Sequence, residues 1–280
     1  MNFKLDVKSA IKTSFSSNTQ HIHLASIGSV SLPTDIWLPS TNFIKPERVN
    51  QLTFGYFRNF DDNTFETSVE GYYKLMDNQL KFVTGFLSSF DNSTLEDNIV
   101  FGDGIARGIE FFIKKNKGVY KGWISYTLSK TTLKFPDLAG GKPFFAKYDQ
   151  RHDLSVVLAR DLNEKWSISS VFIYTTGNAM TLPVGRYMVQ GNILNHYMDI
   201  NSFRMPAYHR LDISLTFTPQ KNRKYDSSWD FGIYNVYNRS NPYYIFFKVE
   251  GDIDEYYLNV EAKQVSLFPV MPYFAWSFKF

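Results

Sequence analysis

The chain has 280 residues, and 30 Lys and Arg against 27 Asp and Glu leave a net charge of +3. So even a balance gives no case for a polyanion surface or a nucleic-acid partner. Cysteine is absent, which excludes disulfides, thiolate metal sites and cysteine nucleophiles, while 26 Phe, 18 Tyr and 5 Trp make an unusually aromatic chain.

The longest unbroken apolar run is Tyr243 to Phe247, far short of the roughly 20 residues a spanning helix needs. The opening Met1-Asn-Phe-Lys-Leu-Asp6 has no apolar stretch of the signal-peptide kind and already alternates like a strand. Period-two alternation dominates from there on, and no segment offers a helical spacing. In chain order the predicted strands are 2–15, 50–60, 64–75, 104–115, 118–129, 149–160, 165–176, 192–200, 208–218, 228–238, 242–249 and 271–280. Leu211, Ile213, Leu215 and Phe217 set against Asp212, Ser214, Thr216 and Thr218 give the cleanest case. Most of these segments have the length that a tilted strand needs to cross a bilayer.

The predicted connections alternate between short (59–63, 116–118, 161–164, 201–207, 239–241) and long (16–49, 76–103, 130–148, 177–191, 219–227, 250–270). Short turns at one end and long loops at the other describe an up-and-down outer-membrane barrel. A soluble β-sandwich has Greek-key crossovers and predicts no such alternation, and no blade-length repeat supports a propeller. Aromatic girdles at both membrane interfaces would account for the composition. The fold class expected is therefore all-β: an antiparallel up-and-down transmembrane β-barrel of about twelve strands, forming a single domain over 1–280 with no plug domain and no signal peptide.

Motifs for chemistry are few. His21 and His23 share a strand face but lack a third ligand at metal spacing, so a solvated loop pair is expected. Gly102-Asp-Gly104-Ile-Ala-Arg-Gly108 precedes a strand rather than a helix, which removes the phosphate-binding logic of a dinucleotide loop. Gly140-Gly141-Lys142 lacks the upstream glycine of a P-loop, and no G-x-S-x-G elbow is present. Glu66 and Glu70 read as hydrated wall residues, and 91–98 as a solvated acidic loop rather than a Ca²⁺ site. No catalytic residue, cofactor or metal is assigned. Arg107 shares a face with Ile105, Ile109, Phe111 and Ile113. A lipid-facing Arg costs roughly 2–4 kcal/mol at the midplane and about 0–1 near the interface, so Arg107 is expected near the long-loop rim.

Several segments together resemble the C-terminal barrel half of TonB-dependent outer-membrane receptors, of the kind abundant in Bacteroidetes. They are Leu38-Pro-Ser-Thr41 with Ile44-Lys-Pro46, Gly104-Ile-Ala-Arg-Gly-Ile-Glu110, Gly122-Trp-Ile-Ser-Tyr-Thr-Leu-Ser-Lys130 and Tyr148-Asp-Gln-Arg-His-Asp-Leu154. Further on come Thr176-Gly-Asn178, Leu182-Pro-Val-Gly-Arg186, Arg204-Met-Pro-Ala-Tyr-His-Arg-Leu-Asp212, Asn235-Val-Tyr-Asn-Arg-Ser-Asn-Pro-Tyr243 and Trp276-Ser-Phe-Lys-Phe280.

The resemblance implies a location in the cell outer membrane and a 22-stranded barrel of which this chain would be the C-terminal part. It also implies energised uptake of a siderophore, vitamin complex or oligosaccharide. Partners implied are the lipid bilayer, the barrel-insertion machinery, the TonB complex acting through a plug that this chain lacks, and a surface lipoprotein where the cargo is a glycan. Phe274, Trp276, Phe278 and Phe280 resemble the C-terminal insertion signal, and the same four residues also read as a lipid-facing stripe. Asn235-Val-Tyr-Asn238 resembles the family's motif, expected at the periplasmic end of a late strand. In the loops 76–103 and 177–191, Phe82, Phe86, Phe90, Phe101 and Tyr187 are the aromatics whose faces suit stacking on a sugar or an aromatic chelator, or simply a rim position, with Phe86, Phe90 and Tyr187 the leading candidates. A complete twelve-stranded pore or secretion translocator is the alternative. The pairing of the two edge strands distinguishes it, and an open arc is expected.

Overall fold

The computed structural model describes residues 1–25, 36–82, 95–189, 192–219, 226–252 and 257–279. In chain order the strands are β1 (Asn2–Lys4), β2 (Ser9–Gln20), β3 (Ile22–Ala25), β4 (Ile36–Pro39), β5 (Glu47–Phe60), β6 (Phe65–Phe82) and β7 (Ile99–Lys115). They continue as β8 (Tyr120–Lys134), β9 (Phe144–Phe145), β10 (His152–Asp161), β11 (Trp166–Thr175), β12 (Ala179–Met180), β13 (Pro183–Val189) and β14 (Asn192–Tyr197). The last are β15 (Phe203–Arg204), β16 (Tyr208–Phe217), β17 (Asp226–Tyr234), β18 (Pro242–Asp252), β19 (Tyr257–Ser266) and β20 (Met271–Lys279). Among the described residues the only helical pieces are 3-10 turns at Leu95–Asn98 and Ala139–Gly141.

One antiparallel sheet runs β1-β2-β5-β6-β7-β8-β10-β11-β16-β17-β20, with β9 attached to β8. It is the all-β meander that the alternation predicts, with a different roster. β1 is a three-residue stub, which leaves ten long strands rather than twelve. The predicted strand 2–15 is in fact a hairpin: Lys8 N–H donates to Asp6 Oδ1 at 2.6 Å and Leu5 N–H to Ser9 O at 3.0 Å, which folds the chain back at 5–8.

Two further predicted strands belong to loops. Segment 192–200 falls largely on β14, which pairs only with β13, and 242–249 lies in β18, which pairs only with β19. Loop hairpins alternate with the same period as spanning strands, so periodicity alone does not separate them.

Moving those hairpins reassigns the connections. Residues 176–207 and 235–270 each form one long connection, so 201–207 and 239–241 lie inside long loops rather than at short turns. The expected long loop at 219–227 becomes the eight-residue connection 218–225, placed among the short ones. With these exchanges the alternation still holds from β1 to β20.

The short connections are built from local chemistry. Residues 61–64 place Asp61, Asp62 and Asn63 at φ of 47°, 53° and 61°, a left-handed run that Asn and Asp tolerate better than other side chains. At 162–165, Asn163 Oδ1 accepts the N–H groups of Lys165 and Trp166 at 2.9 and 3.0 Å.

Among the described residues the sheet does not close on itself: there β1 pairs only with β2 and β20 only with β17. This is the expected open arc. Its faces follow from the register. The row Glu70–Glu110–Thr127–Asp153–Thr175 lies on one face, and Val69–Phe111–Tyr126–Leu154–Tyr174 lies on the other. Polar against apolar over five strands fixes the second face as the one toward lipid. No interior core is needed, and the buried apolar clusters sit at the long-loop end. One gathers Leu38, Ile44 and Phe82, the other Phe135, Leu138 and Phe144.

Candidate functional site

The lipid face carries two aromatic lines. Near the short-turn end, Trp166 packs on Phe217 at 4.7 Å between ring centroids, Trp229 on Trp276 at 5.6 Å, and Trp276 on Phe278 at 4.9 Å. Toward the long loops the Tyr126 hydroxyl meets His152 Nδ1 at 2.8 Å and the Tyr237 hydroxyl meets His209 Nδ1 at 2.8 Å, with Tyr174 stacked on His209. Trp166 and Tyr174 stand eight residues apart on β11. At about 3.3 Å per residue and a tilt near 40°, that is about 20 Å of height, close to the apolar band of an outer-membrane barrel.

Phe274, Trp276 and Phe278 lie on this outward face of β20, all about half exposed. Phe280 falls outside the described residues. Arg107 is also outward, but not at the rim where it was expected. β7 begins at Ile99, five residues earlier than predicted, so Arg107 sits mid-strand. Its height is still interfacial, since it stands eight residues from Lys115, as Tyr73 does from Phe65.

The opposite face is a polar wall. A cavity of about 360 Å³ is lined by Glu66, Ser68, Glu70, Glu110 and Ser125. Asn116 Nδ2 donates to Glu66 Oε1 at 2.6 Å and Ser68 Oγ to Glu70 Oε1 at 3.2 Å. On β16, Arg210 Nε donates to Asp212 Oδ2 at 3.0 Å, and Arg210 Nη1 donates to the hydroxyls of Tyr208 and Tyr234. This ladder turns hydroxyls, a guanidinium and a carboxylate toward the same side.

Above the wall, polar side chains tie the long connections together. Asp149, only 1% exposed, pairs with Arg204 through its carboxylate and accepts the Thr131 amide. Arg204 also donates to the main-chain oxygens of Asp149 and Gly177 and lies 4.7 Å from the Phe145 ring centroid. Asn201 Nδ2 donates to Phe145 O at 2.8 Å. Loops 135–151 and 176–207 are thus joined by one clasp.

Gly177 is part of it. A Cβ there would stand 1.8 Å from Met205 O, so no other residue fits without moving backbone.

A second staple uses three asparagines. Asn235, fully buried at φ 54°, accepts the Arg239 amide at 3.0 Å and donates to Arg239 O and Phe268 O. Asn238 Oδ1 accepts the Val270 amide at 3.0 Å. Asn241 bonds both the N–H and the C=O of His209, each at 3.0 Å, as a neighbouring strand would. The staple follows β17 into the 235–270 connection, so the motif lies at the long-loop end and not at the periplasmic end where it was expected. The reason is the pair of loop hairpins: counting β14 as a spanning strand inverts the direction of the chain before Asn235, and counting β18 restores it afterwards.

His23 departs from expectation too. It is 1% exposed, with Nε2 3.0 Å from Ser40 Oγ and Nδ1 3.4 Å from Glu47 Oε1. It braces the loop hairpin β3–β4 instead of being solvated.

Of the expected loop contacts, Phe82 and Phe101 are strand residues instead, Phe82 buried against Leu38 and Ile44 with Phe101 packed on that cluster, because β6 and β7 run further than predicted. Phe86 and Phe90 lie outside the described residues. Tyr187 is placed on β13 opposite Leu194 by its backbone alone. Within the acidic stretch 91–98, Glu96 accepts the Thr41 hydroxyl at 3.1 Å, while 91–94 lie outside the described residues. Sequence reasoning missed the Asp149–Arg204 clasp, although both residues belong to segments it singled out.

Three solved structures show the same architecture. The ferric-catecholate import receptor Fiu from Escherichia coli K12 aligns at TM-score 0.54 and 15% identity, over 86% of this chain and 30% of that one. The ferripyoverdine receptor of the outer membrane of Pseudomonas aeruginosa aligns at 0.56 and 11%, over 88% and 29%. The unliganded ferric citrate transporter FecA aligns at 0.59 and 10%, over 99% and 36%. The chain therefore spans about a third of the length of these receptors. No curated protein matches the sequence significantly. Residues 14–238 match the family described as TonB dependent receptor-like, beta-barrel. An open antiparallel meander with an apolar outer face, aromatic girdles and a polar wall agrees with that match, and the chain belongs to this family of receptor beta-barrels.

Proposed function

We propose that this chain forms part of the wall and outer loops of a receptor that captures a nutrient at its long-loop end and imports it in a TonB-dependent, energised step. The observation that carries this reading is the division of the sheet. Its apolar face and girdles seat it in lipid, while the Glu66–Glu70–Glu110 wall and the Arg210 ladder line the other side beneath clasped loops. A ferric chelate is the cargo class favoured, because the aligned structures are a ferric-catecholate import receptor, a ferripyoverdine receptor and a ferric citrate transporter. Vitamin complexes and oligosaccharides are the other classes. Phe86, Phe90 and Tyr187 are assigned the stacking contacts for the cargo, and the outward stripe Phe274–Trp276–Phe278, together with the terminal Phe280, is assigned to recognition by the insertion machinery.

The open edges of the sheet favour a larger closed wall, since backbone left unpaired in hydrocarbon costs several kcal/mol per group. Additional strands, as in a 22-stranded barrel, supply the missing pairs. The test is uptake of ⁵⁵Fe-labelled catecholate, hydroxamate and citrate chelates, labelled cobalamin and labelled oligosaccharides by cells with and without the protein, with and without a protonophore. At least a tenfold, protonophore-sensitive loss of one cargo is expected. Unchanged uptake of all of them would overturn the proposal.

A further inference from the structure

Lys81 is the penultimate residue of β6, eight residues past Tyr73 and so above the membrane interface. A one-residue bulge between Met76 and Gln79, where Asn78 takes φ 56°, exchanges the faces of β6. Odd-numbered residues face lipid below it, whereas Lys81 stands opposite Val100, which even spacing along β7 places on the Glu110 side, that of the polar wall. There the side chain meets an apolar cluster. Lys81 Nζ lies 5.1 Å from the centroid of the Phe144 ring. Phe144 is stacked on Phe135 at 5.9 Å, both rings are buried, and Val100 packs on the same cluster.

The charge is poorly compensated in that position. None of the ion pairs among the described residues involves Lys81, and the charged group acting on it is Lys147, of the same sign. A surface lysine escapes such a setting by turning its ammonium into water, but this one is half-buried over the Phe144 ring. Burial first, and Lys147 second, lower its pKa to about 8. At pH 7 about a tenth of the side chain is then the neutral amine, against fewer than about one in a thousand for an ordinary lysine. Desolvation beside a second cation is the setting in which a lysine becomes a nucleophile toward carbonyl carbon.

We propose that Lys81 is a covalent capture site for aromatic aldehydes bearing an anionic group, which it holds as an imine beside Phe144 and Lys147. The lone pair of the neutral Nζ adds to the carbonyl carbon, the C=O π pair passes to oxygen, and a proton moves from nitrogen to that oxygen. Loss of the hydroxyl with the second nitrogen proton, as water, leaves the C=N bond. Phe144 supplies a face on which the aromatic ring stacks, and Lys147 a cation for the anionic group. The apolar cluster beneath keeps water from the imine and slows its hydrolysis. The step is reversible binding without turnover. It rests on the setting of one side chain and not on the cargo, so a failed uptake experiment leaves it standing.

The test uses the whole protein, purified in mild detergent. The probe is para-formylbenzoate, an aromatic aldehyde with a carboxylate, added at limiting concentration near neutral pH. Borohydride fixes the imines, and peptide mass spectrometry compares the fraction labelled at each lysine. Lys81 is expected to label at least tenfold more than the median of the other lysines, which serve as internal controls. Propanal, with neither ring nor charge, is expected to show less than a threefold preference for Lys81. The variant Lys147→Gln is expected to lower the para-formylbenzoate preference at least threefold. A preference below tenfold with the aromatic aldehyde, one of threefold or more with propanal, or a smaller reduction in Lys147→Gln overturns the proposal. The first two readouts need no variant, so they decide should Lys147→Gln fail to fold.

Discussion

The two ends of this sheet satisfy their backbone by different means. At the short-turn end the chain reverses in about four residues, and the work is local: three consecutive left-handed residues at 61–63, and the Asn163 side chain over two amides. At the long-loop end the partners are far apart in sequence. Asp149 is joined to Arg204, Asn241 to His209 and Asn235 to Phe268. Turn residues act on their own neighbours, whereas loops that must hold a shape over water need side chains in place of a ladder. Sensitivity to substitution should therefore be concentrated at the long-loop end.

The largest effect is expected from Arg204→Met, which leaves the Asp149 carboxylate buried with an amide as its remaining partner. Loss of one member of a buried pair costs about 3–5 kcal/mol, readable as a shift in the urea midpoint followed by tryptophan fluorescence in lipid vesicles. A shift under about 1 kcal/mol would show that the clasp is ornamental. Asn235→Ala follows, at about 2–3 kcal/mol, because it strands one amide and two carbonyls. Here hydrogen exchange at Arg239 and Val270 should accelerate before global unfolding, and unchanged protection there would contradict the staple. Gly177→Ala is expected to cost about 2 kcal/mol, since its Cβ would meet the Met205 carbonyl. Trypsin cleavage within 176–207 is the sensitive readout, and wild-type resistance would disprove the close approach. At the other end, Asn63→Gly should stay within about 0.5 kcal/mol, because glycine adopts φ near 61° at no steric cost. A larger loss in the same urea assay would erase the contrast between the ends.

The sequence makes one class of feature legible and hides another. Alternation is a local signal, so the all-β class, the open meander and the outward stripe Phe274–Trp276–Phe278 can be read directly. What periodicity cannot report is the partner of a strand. β14 and β18 alternate as cleanly as β10, yet they pair with β13 and β19 off the main sheet. Counting β14 as a spanning strand carries Asn235 to the wrong end. The loop site was half legible: the segments 148–154 and 204–212 stood out, but only the fold brings Asp149 to Arg204, 55 residues apart. His23 was misjudged for the same reason, since Ser40 and Glu47 reach it through the return of the chain.

Strand length carries one more consequence. β6 has 18 residues and β7 has 17, whereas β10 and β11 have 10 each. Eight extra residues at about 3.3 Å each and a tilt near 40° raise one side of the sheet by about 20 Å. The wall therefore ends in a slope. Its high side is a ladder-bonded parapet, and its low side is where the Asp149–Arg204 clasp joins the loops instead of a ladder. A solute drifting along the cell surface meets a fixed bank on one flank and a jointed sill on the other.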